Sequence, residues 1–150
     1  MAGLPVSVVG EVSKYNKLDL EVDVCSDLMI KHKTGAVSQI HLDYIQQPSH
    51  RSGLITFEMG WLSYDFTRIE LIGQKKSDDA HVVWSDKNYD YNKAYIDQMI
   101  EFVCFVEEGR LKHKYDAESS VESLKVVESL LESSNSGKKV SIERNERFSF

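Results

Sequence analysis

Hydrophobic and polar residues alternate through most of the first half of the chain, and helical spacing begins only after Asn88. Val6, Val8 and Val12 recur at period two, with Ser7, Val9 and Glu11 between them, the pattern of a strand with one face better buried than the other. A second strand is predicted over Asp27 to Lys33, with Leu28 and Ile30 on one side and Asp27, Met29 and Lys31 on the other. Thr34-Gly35 then offers a hairpin turn into the next run. That run, Ala36 to Gln47, is the clearest strand. One set reads Ala36, Ser38, Ile40, Leu42, Tyr44, and the other Val37, Gln39, His41, Asp43, Ile45. Pro48 cannot donate to a ladder and ends it. Shorter strands are predicted over Leu54 to Phe57, Trp61 to Thr67, Arg68 to Ile72 and His81 to Trp84. Gly60, a shift at Thr67-Arg68, and the polar loop Gly73 to Asp79 separate them.

From Asp90 to Glu108 the apolar positions Tyr95, Ile96, Met99, Phe102, Val103 and Val106 fall on one helical stripe. Asp90 or Asn92 serves as N-cap and Gly109 as the stop. A second helix is predicted from Asp116, an N-cap with Glu118 in the first turn, through Val121, Leu124, Val127 and Leu131, fraying in Ser133 to Gly137. Lys138 to Ile142 reads as a last strand and residues 143–150 as a tail. Strands followed by helices define one α+β domain over residues 1–142. The expected architecture is a largely antiparallel open sheet of six or more strands with the two C-terminal helices packed on one face. The set containing Ile40 and Leu42 is expected to meet those helices. The opposite set, Val37, Gln39, His41, Asp43 and Ile45, is too polar for a core and too apolar for plain solvent, which predicts an interface and a homo-oligomer.

Composition narrows the function classes. The 150 residues, 41% hydrophobic and 28% charged with 2 Pro, describe one soluble folded domain with enough chain to bury a single core. A net charge of −6 argues against a nucleic-acid surface. The basic run Arg110 to Lys114 reads as a solvated segment after a helix. Cys25 and Cys104 lie far apart with no CxxC, which predicts reduced, buried thiols and a cytoplasmic location. The N-terminal sequence lacks a basic segment followed by an apolar one, and no window approaches the ~18 apolar residues of a membrane span, so neither export nor anchoring is expected. His41 and Asp43, two apart on one strand face, could form half of a metal site. With no third ligand evident in the sequence, they read as a surface or interface pair, and no metal is predicted. Trp61, Tyr64 and Phe66 read as hairpin packing rather than a platform for single-stranded nucleic acid.

Several motifs occur in a telling order. Tyr44-Ile45-Gln46-Gln47-Pro48 closes a strand, and Glu58-Met59-Gly60 reverses the chain before Trp61 to Phe66 ends on an aromatic-Asp pair. Tyr91-Asn92-Lys93-Ala94-Tyr95-Ile96-Asp97-Gln98-Met99-Ile100-Glu101-Phe102 follows, and then Ser133-Ser134 and Gly137-Lys138-Lys139-Val140. Over roughly residues 4 to 142 this order resembles the C-terminal domain of the Gfo/Idh/MocA oxidoreductases, the glucose-fructose oxidoreductase and inositol dehydrogenase group. The resemblance implies a substrate-binding and oligomerisation domain of an NAD(P)-dependent enzyme acting on a sugar, nucleotide-sugar or cyclitol. Members of that family also carry a Rossmann domain with a Gly-rich phosphate turn, a Glu-Lys-Pro motif and a helix bearing Asp-x-x-x-His, whose His is the acid/base. None of these is present in the sequence. Neither Asp19 and Asp23 nor any of the five histidines stands in the Asp-x-x-x-His pattern.

The expectation is therefore a truncated sugar dehydrogenase chain with no catalytic residue and no cofactor of its own, inactive alone. NAD or NADP would belong to the full-length enzyme, with the Rossmann domain supplied in cis or in trans. Substrate contact is expected at the rim of the Pro48 connection from Tyr44, His50 and Arg51, since Arg binds anionic groups bidentately and Tyr stacks on a sugar face. Two alternatives stand beside this reading. One is a stand-alone, non-enzymatic module that homodimerises through the open sheet face. The other is an unrelated α+β fold with a ligand cavity, which the alternation, predicting a filled core, disfavours.

Overall fold

In chain order the strands and helices are β1 (Pro5–Ser13), β2 (Cys25–His32), β3 (Val37–Asp43), β4 (Ser52–Phe57), β5 (Gly60–Asp65), β6 (Glu70–Lys75), β7 (His81–Ser85), α1 (Tyr91–Glu107), α2 (Ala117–Ser136) and β8 (Val140–Ser141). The computed structural model describes residues 2–14, 22–109 and 117–143. The proposed Asp116 cap, the Arg110 to Lys114 run and residues 144–150 of the tail lie outside the described residues, as does the side chain of Glu118. The α+β class holds, but the strands form two four-stranded antiparallel sheets, β3-β2-β1-β8 and β4-β5-β6-β7, where a single sheet of six or more was expected. The chain divides accordingly into one unit of Met1–Ile45 with Lys112–Phe150 and another of Gln46–Leu111.

In the first unit Val8 pairs with Ile30, Gly10 with Leu28, and Leu28 with Ile40. Residues directly opposite in an antiparallel ladder point the same way, so these positions share one face. Val8, Leu28 and Ile30 on that face bury Leu130 of α2, with Val12, Val126 and Ile142 packed around them. The helix comes this close because Gly10 has no Cβ. One built there would lie 2.3 Å from the Asp27 carbonyl oxygen and 2.6 Å from Leu130 Cδ1. The inward stripe of α2 is Val126, Ser129, Leu130 and Ser133, whereas Val121, Leu124, Val127 and Leu131 are exposed. Hydropathy therefore mislocated the stripe by about one position, because two serines, Ser129 and Ser133, are part of the buried face.

Serines also finish the edge of β1. Strand β8 pairs with β1 only at Ser7–Ser141 and Val8–Val140. Beyond it the Gly10 N–H donates to Ser133 Oγ (3.1 Å) and the Val12 N–H to Ser134 Oγ (3.0 Å). Ser133, 1% exposed, in turn donates to the Lys138 carbonyl at 2.7 Å.

The second unit is a four-stranded meander followed by α1. Asp90 is the N-cap and accepts the Asn92 N–H at 2.9 Å, and Gly109 follows the helix at φ 61°. Both helices were expected to pack on one sheet face. Instead α2 lies on the first sheet, while α1 buries none of its residues and leaves Tyr95, Ile96, Met99, Phe102, Val103 and Val106 exposed. Among the described residues of this unit no hydrophobic side chain is buried. The thiols also differ from expectation, since Cys25 is half-buried and Cys104, on α1, is exposed. No helix among the described residues is long and apolar enough to cross a membrane.

Candidate functional site

The second unit holds a cavity of about 700 Å³ walled by the 49–51 connection, the ends of β5, β6 and β7, and the start of α1. Its floor follows from register. Gly53 pairs with Tyr64, Tyr64 with Leu71, and Leu71 with Trp84, so one row of side chains crosses all four strands on one face. Gly53 lets the Tyr64 ring lie over β4, since a Cβ there would fall 2.3 Å from the phenol oxygen. Phe66 continues the aromatic wall with its ring centroid 5.3 Å from that of Tyr64. Arg51 lies over the Phe66 ring, 5.0 Å from guanidinium carbon to centroid, and its carbonyl accepts the Phe66 N–H at 2.8 Å. Tyr91 closes the wall from α1 by donating its hydroxyl to the Phe66 carbonyl at 2.7 Å, and Tyr89 meets it edge to face.

Polar groups ring this surface. The Asp65 carboxylate accepts the Thr67 N–H (2.8 Å) and the Arg68 N–H (3.0 Å), closing the turn between β5 and β6. The Arg68 N–H first, and then that of Thr67, hold the Asp65 carboxyl below its ordinary value, with smaller help from the nearby His50 and Arg68 side chains. In this turn Ile69 adopts φ 52°, a left-handed conformation that is strained for a β-branched residue. An aromatic floor with Arg51, His50, Asp65 and Glu70 at its rim suits a polyhydroxylated ligand, whose C–H faces stack while its hydroxyls bond to the rim.

Of the residues predicted from sequence, His50 and Arg51 line this cavity. Tyr44 does not; it is 72% exposed and belongs to the first unit. The aromatic residues Tyr64, Phe66, Trp84, Tyr89 and Tyr91 were missed as a site. The available signal was the shared parity of Tyr64 and Phe66, which sets Trp61 on the opposite face, where its indole N–H bonds to Gln74 Oε1 at 2.9 Å.

On the open face of the first sheet, the side away from α2, Val37, Gln39 and His41 are exposed beside Val9 and Met29. Ile45 does not extend this row, because β3 ends at Asp43 and the Ile45 N–H turns back to Asp43 Oδ1 at 2.7 Å. His41 bonds to Asp27 Oδ1 through Nδ1 (2.6 Å) and to Asp43 Oδ2 through Nε2 (3.0 Å). The hydrogen bonds to Asp27 and then Asp43 raise its pKa.

Comparison with known proteins places this fold. No family model matches the sequence, and neither does any curated protein. Solved structures similar to it include several oxidoreductases. Levoglucosan dehydrogenase in complex with NADH matches with TM-score 0.85 and 15% identity over 95% of this chain and 46% of that one. An oxidoreductase domain protein from Kribbella flavida gives 0.81 and 15% over 93% and 45%. Aldose-aldose oxidoreductase from Caulobacter crescentus complexed with glycerol gives 0.73 and 17% over 93% and 42%. At these identities the likeness establishes the fold, and the chain spans slightly less than half the length of these structures.

Proposed function

We propose that this chain is the substrate-binding and oligomerisation domain of an NAD(P)-dependent oxidoreductase acting on a sugar, nucleotide-sugar or cyclitol, with a Rossmann domain supplied in cis or in trans. The observation that carries the reading is the cavity floored by Tyr64, Leu71 and Trp84 and rimmed by Arg51 and His50, on a fold shared with sugar oxidoreductases. In this proposal the nicotinamide nucleotide is held by the other domain, and this chain binds and positions the substrate. The exposed apolar stripe of α1 and the open face bearing Val9, Met29 and Val37 support the oligomerisation half of the proposal. Their exposure equally favours a second reading, a homodimerising module without chemistry.

Amide-shift mapping separates these readings. Titration with a monosaccharide, a cyclitol and a nucleotide-sugar should shift the amides of Tyr64, Phe66 and Trp84 saturably for at least one of them, and Phe66→Ala should abolish the shift. No response to any of the three, or a response elsewhere on the chain, removes the substrate-binding reading and leaves the dimerising module. Calorimetric titration with NADH should give no heat above dilution. Micromolar binding at a defined site would overturn the view that the nucleotide is held by another domain.

A further inference from the structure

The cross-strand register of β2 and β3 assembles a second constellation far in character from the aromatic cavity. Cys25 stands opposite Asp43, and Asp27 opposite His41, so two adjacent pairs present a thiol, an imidazole and two carboxylates from one patch at the end of the open face. Cys25 Sγ lies 3.7 Å from Asp27 Oδ2, and His41 Nδ1 lies 2.6 Å from Asp27 Oδ1. The candidate ligand atoms of Cys25, Asp27 and His41 all fall within 4.8 Å of one another. Ligands around a zinc ion bond at about 2.0 to 2.3 Å, so such a set needs only small rotations of half-buried or exposed side chains to enclose one. The other ring nitrogen supplies an independent indication. His41 Nε2 is bonded to Asp43 Oδ2 at 3.0 Å, and Asp43 is itself fixed by the Ile45 N–H at 2.7 Å. A carboxylate on the far nitrogen of a histidine is what fixes the ring and its tautomer in ligating histidines, leaving Nδ1 to face the ion.

We infer that Cys25, Asp27 and His41 form a binding site for a zinc-class divalent cation, with Asp43 as the positioning residue that orients His41. One thiolate, one imidazole and one carboxylate select a borderline-soft ion over calcium or magnesium, and three protein ligands leave one position for water. Burial and the neighbouring Asp27 carboxylate raise the Cys25 thiol, and Asp27 and Asp43 raise His41. Among the described residues, the titratable groups facing His41 are Asp27 and Cys25 on β2 and Asp43 on its own strand, with Glu11 of β1 paired beyond Asp27. A metal-bound thiolate and a neutral imidazole are the ligating forms, so ion uptake should tighten as pH rises.

The test is titration of the reduced chain with cobalt(II), a spectroscopic stand-in for zinc, in a Cys104→Ser background that leaves Cys25 as the one thiol. The expected result is saturable uptake of one ion, with thiolate-to-cobalt charge-transfer absorption that zinc abolishes. Cys25→Ser should remove that absorption. Asp43→Asn should weaken binding about 10- to 100-fold while keeping the absorption, as befits an orienting partner, and His41→Ala should weaken it by more. Cys25→Ser and Asp43→Asn are near-isosteric and His41 is exposed, so circular dichroism of each variant should match the parent. Uptake without the charge-transfer absorption, uptake unchanged by Cys25→Ser or His41→Ala, or no uptake at millimolar cobalt overturns the assignment.

Discussion

Gly53 decides whether the aromatic floor can exist. A side chain there occupies the space of the Tyr64 ring, so Gly53→Val should displace Tyr64 and destabilise the chain by about 1–3 kcal/mol, the usual cost of overpacking. Urea unfolding would measure this, and an unchanged midpoint with unshifted Tyr64 resonances would show that the ring has room to move. His41 carries a second residue-level expectation. Its folded pKa is raised above the ordinary 6.5 by Asp27 and Asp43. The stabilisation from those bonds is then fully present below about 6.5 and is lost as pH rises through the raised value. An NMR titration of the imidazole in metal-free buffer should give a midpoint above 6.5 that falls toward it in Asp27→Asn. A midpoint at or below 6.5 in the parent chain would contradict the paired geometry.

At the scale of elements, α2 is held by polar as well as apolar contacts. Ser133→Ala should leave the Gly10 N–H and the Lys138 carbonyl without their partner in a buried place, at a cost of about 1–3 kcal/mol. Ser134→Ala, at a less buried position, should cost less. Equal effects in urea unfolding would mean that burial does not set the difference. These serines show where sequence patterning ends. The alternation of Val8, Val12, Leu28 and Ile30 announced two strands and their buried face, and the Asp90 cap and Gly109 stop bracketed α1, because those signals are local. The stripe of α2 was not legible, since a serine facing a sheet edge looks like a serine facing water. The strand predicted from Arg68 begins only at Glu70, because the Asp65 carboxylate gathers the N–H groups of Thr67 and Arg68 into a turn. His50 and Arg51, singled out with Tyr44 for their binding chemistry at the Pro48 connection, are found in the lining of the cavity. The row Gly53–Tyr64–Leu71–Trp84 and the meeting of Cys25 and Asp27 with His41 depend on register, which spacing along one strand does not reveal.

For the molecule as a whole, the exposed apolar surface is the dominant property. The proposed self-association predicts a dimer by light scattering at micromolar concentration, with about 1,600 Å² buried in total for an interface of standard size. Met29→Lys with Val37→Lys would set like charges on the open face and should yield monomers with unchanged circular dichroism. A dimer that survives both substitutions must use another surface, with the α1 stripe the next to vary.

The hydroxyls that close β1 have a bearing on how such a chain avoids uncontrolled assembly. A strand edge with free N–H groups recruits further strands, and this one is occupied by Ser133 and Ser134 where β8 stops after two residues. The first sheet is therefore blocked against growth on that side, so polymerisation in the strand-pairing direction has no start there. Amide hydrogens of Gly10 and Val12 should exchange with deuterium as slowly as α2 stays docked, even though no strand covers them. In a chain lacking both hydroxyls, fast exchange at those two positions should precede fibre formation.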